Sequence, residues 1–273
     1  MKTQTITSRD NAQVKTIKRL AQKSSSYKFE RQIWLEGEHL CDAYLLAHKS
    51  DARLTPAPLK TAVLSQSASS KWLPRLEARV AQGLYGLVCE TIILPDALFD
   101  SLSSMPSSGG LGFVLSLPEC TQLIHKTAHT VVLDCVQDAG NVGSILRSSA
   151  AFGVTQVLAL EGTALLWSPK VLRAAMGAHF ALHMVEGLNA DDLQLDVPML
   201  VTHVHEGEYL HQLQAEKKIP NPCAWVMGHE GQGVSQAILD KASKRININQ
   251  AGQESLNVAA AAAVCLYAST VGH

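Results

Sequence analysis

The chain has 273 residues, of which 47% are hydrophobic, 17% charged and 5% aromatic, a composition that excludes a disordered or fibrous protein. At about 100–200 residues per domain, the length fits two domains, each able to bury a core of its own. With 23 Lys+Arg against 24 Asp+Glu the net charge is -1, which lacks the basic excess usual in nucleic-acid-binding chains.

Lys15, Lys18, Arg19 and Lys23 recur at helical spacing, with Val14, Ile17 and Leu20 on another face. This predicts a basic amphipathic helix, and Arg9, Lys28 and Arg31 extend its cluster. RQIWLEGEHLCDAYLLAH then reads as a strand entering a helix, TAVLSQSAS as a strand and turn, and TIILPDALFDSL as a strand followed by a short helix. Residues 101–112, SLSSMPSSGGLG, are rich in Ser, Gly and Pro and mark a break before the apolar strand GFVLSL. Pro118 and the polar segment after it predict a domain boundary, giving domains 1–118 and 119–273. From Thr130 the rhythm is regular: VVLDCV, QVLALE, PMLVTHV and CAWVMG read as strands, NVGSILRSSAAFG and PKVLRAAMGA as helices. Apolar strands separated by helices imply an α/β fold with a parallel sheet covered on both faces.

The six cysteines, Cys41, Cys89, Cys120, Cys135, Cys223 and Cys265, form no CxxC pair, so a zinc ribbon is excluded and a disulfide framework is not expected. The N-terminus lacks the apolar core of a signal peptide. The longest apolar run, VAAAAAVCLYA at 258–268, is too short to span a bilayer and reads as a buried helix. A cytoplasmic protein with no membrane partner is expected.

Three polar, glycine-containing segments follow apolar strands: QDAGNVGSILR at 137–147, GHEGQGVS at 228–235 and QAGQESLN at 250–257. Ligands of parallel α/β sheets sit at the carboxyl ends of strands, so the three are placed to build one site. GHEGQG is neither GxGxxG nor a P-loop, and alone it is equally a tight turn needing positive φ. Together the segments resemble the SpoU/TrmH family of RNA ribose 2′-O-methyltransferases, of the SPOUT class. The family's Asn-x-Gly-x-x-x-Arg is matched by Asn141, Gly143 and Arg147, its Gly-x-Glu-Gly-x-Gly by GHEGQG after a strand, and its Ser-Leu-Asn by Ser255, Leu256 and Asn257 before a helix of small residues. PKVLRAAMGAHF resembles the helix between the first two motifs. ITSRDNAQVKTIKRL with IWLEGEHL resembles the family's small N-terminal substrate-binding domain. Two departures stand out: His229 replaces the usual Asn or Ala, and INQAG lacks the Pro usual after the Ile, in a loop one residue short.

The resemblance implies S-adenosylmethionine as cofactor, a ribose hydroxyl of ribosomal or transfer RNA as acceptor, and a homodimer. It further implies a deep trefoil knot in the C-terminal domain and a ribosomal-protein-like RNA-binding fold in the smaller N-terminal α/β domain. It assigns catalysis to Arg147, which leaves two roles open. A desolvated site lowers its proton affinity so that it acts as base, or its guanidinium clamps the target phosphate and stabilises the developing alkoxide. Asn141 would orient Arg147 or the ribose. Ser255 and Asn257 would hold the same nucleotide, although capping the last helix accounts for them equally. Glu230 would bond the arginine or the nucleotide, or complement a helix dipole. Thr202, Gly228, Gly233, Ile248 and Leu256 would line the cofactor, and Lys15, Lys18, Arg19 and Arg31 would meet RNA.

Other readings are a non-catalytic RNA-binding ribosome-assembly factor retaining the fold, and a dehydrogenase-type enzyme. The dehydrogenase needs an acidic residue about 20 positions past its glycines, a pattern that Asp240 does not supply. No metal is expected: His203, His205 and His211, beside Glu206 and Glu208, fall on a strand end and loop. No G-x-S-x-G elbow occurs. Residues 1–118 hold 14 Lys+Arg and 10 Asp+Glu, a balance of +4, against 9 and 14, a balance of -5, in 119–273. A basic substrate domain beside an acidic catalytic one fits RNA capture by the first half.

Overall fold

The computed structural model describes residues 2–50, 57–81, 90–103, 109–118, 123–204, 206–250 and 256–270, the side chains of 48–50 and 81 apart. Two compact units emerge: Met1–Glu119 with Trp167–Phe180, and Cys120–Leu166 with Ala181–His273.

The first unit runs β1 (Lys2–Thr5), α1 (Ala12–Gln22), α2 (Ser26–Glu30), β2 (Gln32–Glu36), α3 (Glu38–Ser50), β3 (Leu59–Ser65), α4 (Ser69–Ala81), β4 (Glu90–Leu94), α5 (Asp96–Asp100) and β5 (Leu111–Ser116). Its sheet has the order β1-β4-β3-β5-β2, with β1, β4 and β3 parallel and β5 antiparallel to both neighbours. The expected amphipathic helix is α1. Asn11 caps it by accepting the Gln13 N–H at 2.8 Å, and Val14, Ile17, Leu20 and Ala21 are buried. Lys15, Lys18, Arg19 and Lys23 are exposed, as the helical period requires. The core gathers Ile33 and Leu35 of β2, Tyr44 of α3, Leu64 of β3, Trp72 of α4 and Phe113 of β5.

After α5 the segment expected as a break is described only in part, since 104–108 lie outside the described residues. Farther along the chain, α7 (Pro169–Ala175) packs on α1 and β2, and Leu172 and Phe180 join the first unit's core. With this excursion the first unit carries 16 Lys+Arg and 11 Asp+Glu, net +5, and the second 7 and 13, net -6.

The second unit contains β6 (Thr130–Leu133), α6 (Ala139–Ala151), β7 (Gln156–Leu160), β8 (His183–Leu188), β9 (Met199–Thr202), β10 (Glu208–Tyr209), α8 (Leu210–Ala215), β11 (Ala224–Met227), α9 (Gln236–Leu239), β12 (Lys244–Asn247) and α10 (Val258–Thr270). Its seven strands, ordered β10-β12-β9-β11-β6-β7-β8, are all parallel. Val132 and Val226 lie in a core cluster with Leu158, Val201 and Ile238. Their alternates Val131, Leu133, Trp225 and Met227 are fully buried too, so both faces are covered. The indole of Trp225 donates to Ser269 Oγ at 2.8 Å, fastening α10 to the second face. Among the described residues no helix is long and apolar enough to cross a membrane.

Candidate active site

A parallel sheet puts every strand's carboxyl end on one edge. That edge of the second unit receives the segments after β6, β11 and β12. On the first, Asp138 caps α6 by accepting the Asn141 N–H at 2.8 Å, and this capped turn fixes the Asn141 side chain. Its amide nitrogen donates to Glu230 Oε1 at 3.0 Å, while its oxygen accepts from Asn257 Nδ2 at 2.9 Å. One asparagine thus joins all three segments, using both ends of its amide.

Glu230 also accepts the backbone N–H groups of Asp138 (3.2 Å) and Gln137 (3.4 Å). Partial burial pushes its carboxyl up, but the Asn141 amide and the backbone N–H groups outweigh this and hold it below its ordinary 4.5. A lowered value means that Glu230 stabilises the fold fully above pH 4.5 and that this contribution is lost as pH falls through the lowered value. Glu230→Gln, melted across pH 3 to 6, is therefore expected to lose part of the wild type's acid sensitivity; identical curves would deny the carboxylate this role.

Asn257 serves as cap and bridge at once. Its oxygen accepts the Ala259 and Ala260 N–H groups at 2.9 and 3.3 Å, capping α10, while its nitrogen reaches Asn141. Ser255 lies outside the described residues. Arg147 is not brought to this network. It stands six residues beyond Asn141, about 9 Å along α6 and about 240° around it. It is exposed and makes no hydrogen bond or ion pair with a described residue. Of the partners expected for Glu230, the arginine or the nucleotide, Arg147 makes no bond to it among the described residues, and Asn141 does.

The loop after β11 closes on itself. His229 and Gly233 exchange backbone hydrogen bonds, both 2.9 Å. The imidazole Nδ1 of His229 accepts the N–H groups of Gly231 (2.9 Å) and Gln232 (3.2 Å), a task that an asparagine oxygen also performs, which explains the tolerance of histidine there. Buried Asp134, directly after β6, accepts the Ser235 N–H at 2.6 Å and anchors the loop's far end. Sequence reasoning passed over Asp134 and the His229 acceptor. The available signal was an acid directly after the apolar run VVL, where a buried carboxylate needs donors.

Gly228 is buried, and a Cβ on Gly233, at φ +72°, would meet nothing within 4 Å. Gly233 therefore faces open space, and after β12 Ile248 is half-buried and Leu256 40% exposed. Thr202, at the end of β9, already donates its hydroxyl to the Val226 carbonyl at 3.2 Å. In the histidine-rich stretch, Nδ1 of His203 accepts the Glu206 N–H at 3.0 Å, and His205 lies outside the described residues. No cluster of three metal-ligating side chains occurs among the described residues.

Residues 128–267 match the SpoU rRNA methylase family. The chain belongs to that family. By that membership it is an RNA methyltransferase. It is 28% identical over 268 residues to the 23S rRNA (guanosine(2553)-2′-O)-methyltransferase RlmP of Bacillus subtilis, covering 96% of this chain and 97% of that one. It is 33% identical over 161 residues to the 23S rRNA (guanosine-2′-O-)-methyltransferase RlmB of Bordetella pertussis, covering 57% of this chain and 64% of RlmB. A structure assigned to the TrmH RNA methyltransferase family, from Porphyromonas gingivalis, superposes with a TM-score of 0.76 at 26% identity, over 95% of this chain and 97% of that one.

Proposed function

We propose that this SpoU-family chain methylates a ribose 2′-hydroxyl of large-subunit ribosomal RNA, and that residues 1–118 capture the RNA while 119–273 carry the reaction. The observation that carries the reading is the Asn257–Asn141–Glu230 hydrogen-bond chain, which ties the three motif segments into one site. Two relatives named as 23S rRNA guanosine methyltransferases support the substrate.

When bound, S-adenosylmethionine supplies an electrophilic methyl group. The residues proposed to hold it are Gly228, Gly233, Ile248 and Leu256, with Thr202 at the rim. Asn141 and Asn257 fix the ribose by positioning amide groups, and Ser255 adds a hydroxyl to the same nucleotide. Glu230 holds Asn141 in the orientation this needs. Arg147 meets an adjoining phosphate and stabilises the charge developing on the attacking oxygen. A planar guanidinium grips phosphate through two parallel N–H bonds, which favours the clamp over the base. The test is transfer of labelled methyl groups to ribosomal RNA lacking the modification, with the site mapped by primer extension. Tight RNA binding without incorporation would favour the non-catalytic assembly factor.

A homodimer and a cytoplasmic location complete the proposal. The outer face of α10 presents Val264, 42% exposed, and Tyr267, 56% exposed, whose ring lies 6.1 Å from that of Phe152. Such paired apolar exposure on a helix face suits a second copy. Tyr267→Glu is expected to shift the sedimentation mass from dimer to monomer; an unchanged mass would place the contact elsewhere.

A further inference from the structure

The first unit's helix α2 holds an unusual pair of residues. Its Tyr27 is buried, whereas Phe29, two positions on and thus about 200° around the helix, is 89% exposed. No other large apolar side chain in the described residues is as bare, the next being Leu123 at 60%. A single exposed ring is common on a protein surface; what sets Phe29 apart is the extent of its exposure and the charge beside it.

The surroundings of Phe29 are cationic. Lys28 precedes it, and Lys23 and Arg31 stand just outside the helix ends, all exposed. The nearest acid, Glu30, is taken up by Arg19 of α1 at 2.7 Å, and Asp10 by Lys15 at 2.8 Å. Lys18, Lys23 and Arg31 make no ion pair among the described residues. Arg31 also sits at the C-cap of α2 with φ 53° and ψ 34°, a left-handed position where glycine is favoured and a side chain is strained. Strain kept beside an exposed aromatic ring points to a use for that side chain.

A bare ring beside Lys18, Lys23 and Arg31, which make no ion pair among the described residues, fits a polyanion that carries flat apolar faces. We propose that Phe29 is the stacking platform for an unpaired base of the substrate RNA, with Lys18, Lys23, Lys28 and Arg31 holding the flanking phosphates. Stacking on an aromatic ring accepts any base, and salt-dependent phosphate contacts add affinity without choosing sequence. The platform selects single-stranded or looped RNA over paired RNA, because only an unpaired base can leave its own stack. The inference deepens the RNA reading above and rests on it.

The test measures binding of the full chain to an RNA hairpin with an unpaired loop, and to a fully paired duplex, across a salt series. Phe29→Ala is expected to weaken hairpin binding by about 5- to 100-fold, with the salt slope and duplex binding unchanged, and Phe29→Trp to restore it. Arg31→Gly is expected to raise the melting temperature by roughly 2–4 °C while lowering the salt slope by about 1. Wild-type hairpin affinity in Phe29→Ala, alongside loss of binding when Lys18, Lys23 and Arg31 are all neutralised, would overturn the platform and leave the RNA reading standing. No binding of either RNA by the wild type would overturn both. A smaller assembly mass for Phe29→Ala, with hairpin affinity intact, would make Phe29 a protein contact and overturn the proposal.

Discussion

Arg147→Ala is expected to lower methyl incorporation into ribosomal RNA by about 10²–10³-fold, the loss typical of removing one donor aimed at developing negative charge. The same variant should bind S-adenosylhomocysteine and melt as the wild type does. An exposed residue on α6 with no hydrogen bond or ion pair to a described neighbour contributes within about 0.5 kcal/mol to stability, so the effect is confined to turnover. Arg147→Lys separates charge from geometry. It keeps the cation but not the planar fork that grips phosphate in two places, and it is expected to recover only part of the rate. Incorporation by Arg147→Ala within a few-fold of the wild type would remove Arg147 from the reaction.

How much of this was legible in the sequence depended on which residues carried the pattern. The strands VVL, QVLAL, MLVT and AWVM are apolar but for Gln156 and Thr202 at their ends, as central strands of a parallel sheet are, and each was readable. The strands KTQT (β1), KRIN (β12) and EY (β10) were not, because polar residues there lie at or near a sheet edge where half the surface meets water. Helix α4 was hidden by Pro74 in its interior, a residue that normally ends a helix. The packing of α7 with the first unit follows from tertiary contacts of Leu172 and Phe180, which no local pattern encodes.

At the site, the three segments were visible as glycine-bearing stretches after strands, and their motif residues through family resemblance. The pairing itself was not. That Asn141 bonds Glu230 and Asn257 rather than Arg147 depends on where around α6 each side chain projects, and a spacing of six residues places Arg147 away from Asn141. The departure at His229 has a geometric account: its ring nitrogen holds the loop.

Gly228→Ala is expected to abolish the rise in melting temperature that S-adenosylhomocysteine gives the wild type. A Cβ on residue 228 would lie 2.4 Å from Gly233 C and Val234 N and 2.6 Å from Gly233 O. All three obstacles are backbone, so no rotamer change relieves them. Nor can residue 228 retreat: it follows Met227 at the end of β11, which is hydrogen-bonded on both sides to β9 and β6. The loop must give way, at a cost of about 1–3 kcal/mol. The 2.9 Å bonds between His229 and Gly233 then part, and Glu230 is carried off Asn141. Two neighbours calibrate the result. Gly231→Ala would meet only the His229 ring at 3.8 Å, ordinary contact, and should bind normally. Gly233→Ala has open space but a φ of +72°, so it pays about 1–2 kcal/mol of left-handed strain and places a methyl in the space proposed for the cofactor. The expected order of damage is therefore 228 first, 233 next and 231 least. Full ligand response in Gly228→Ala, with an intact melting transition, would show that this loop is not the cofactor's seat.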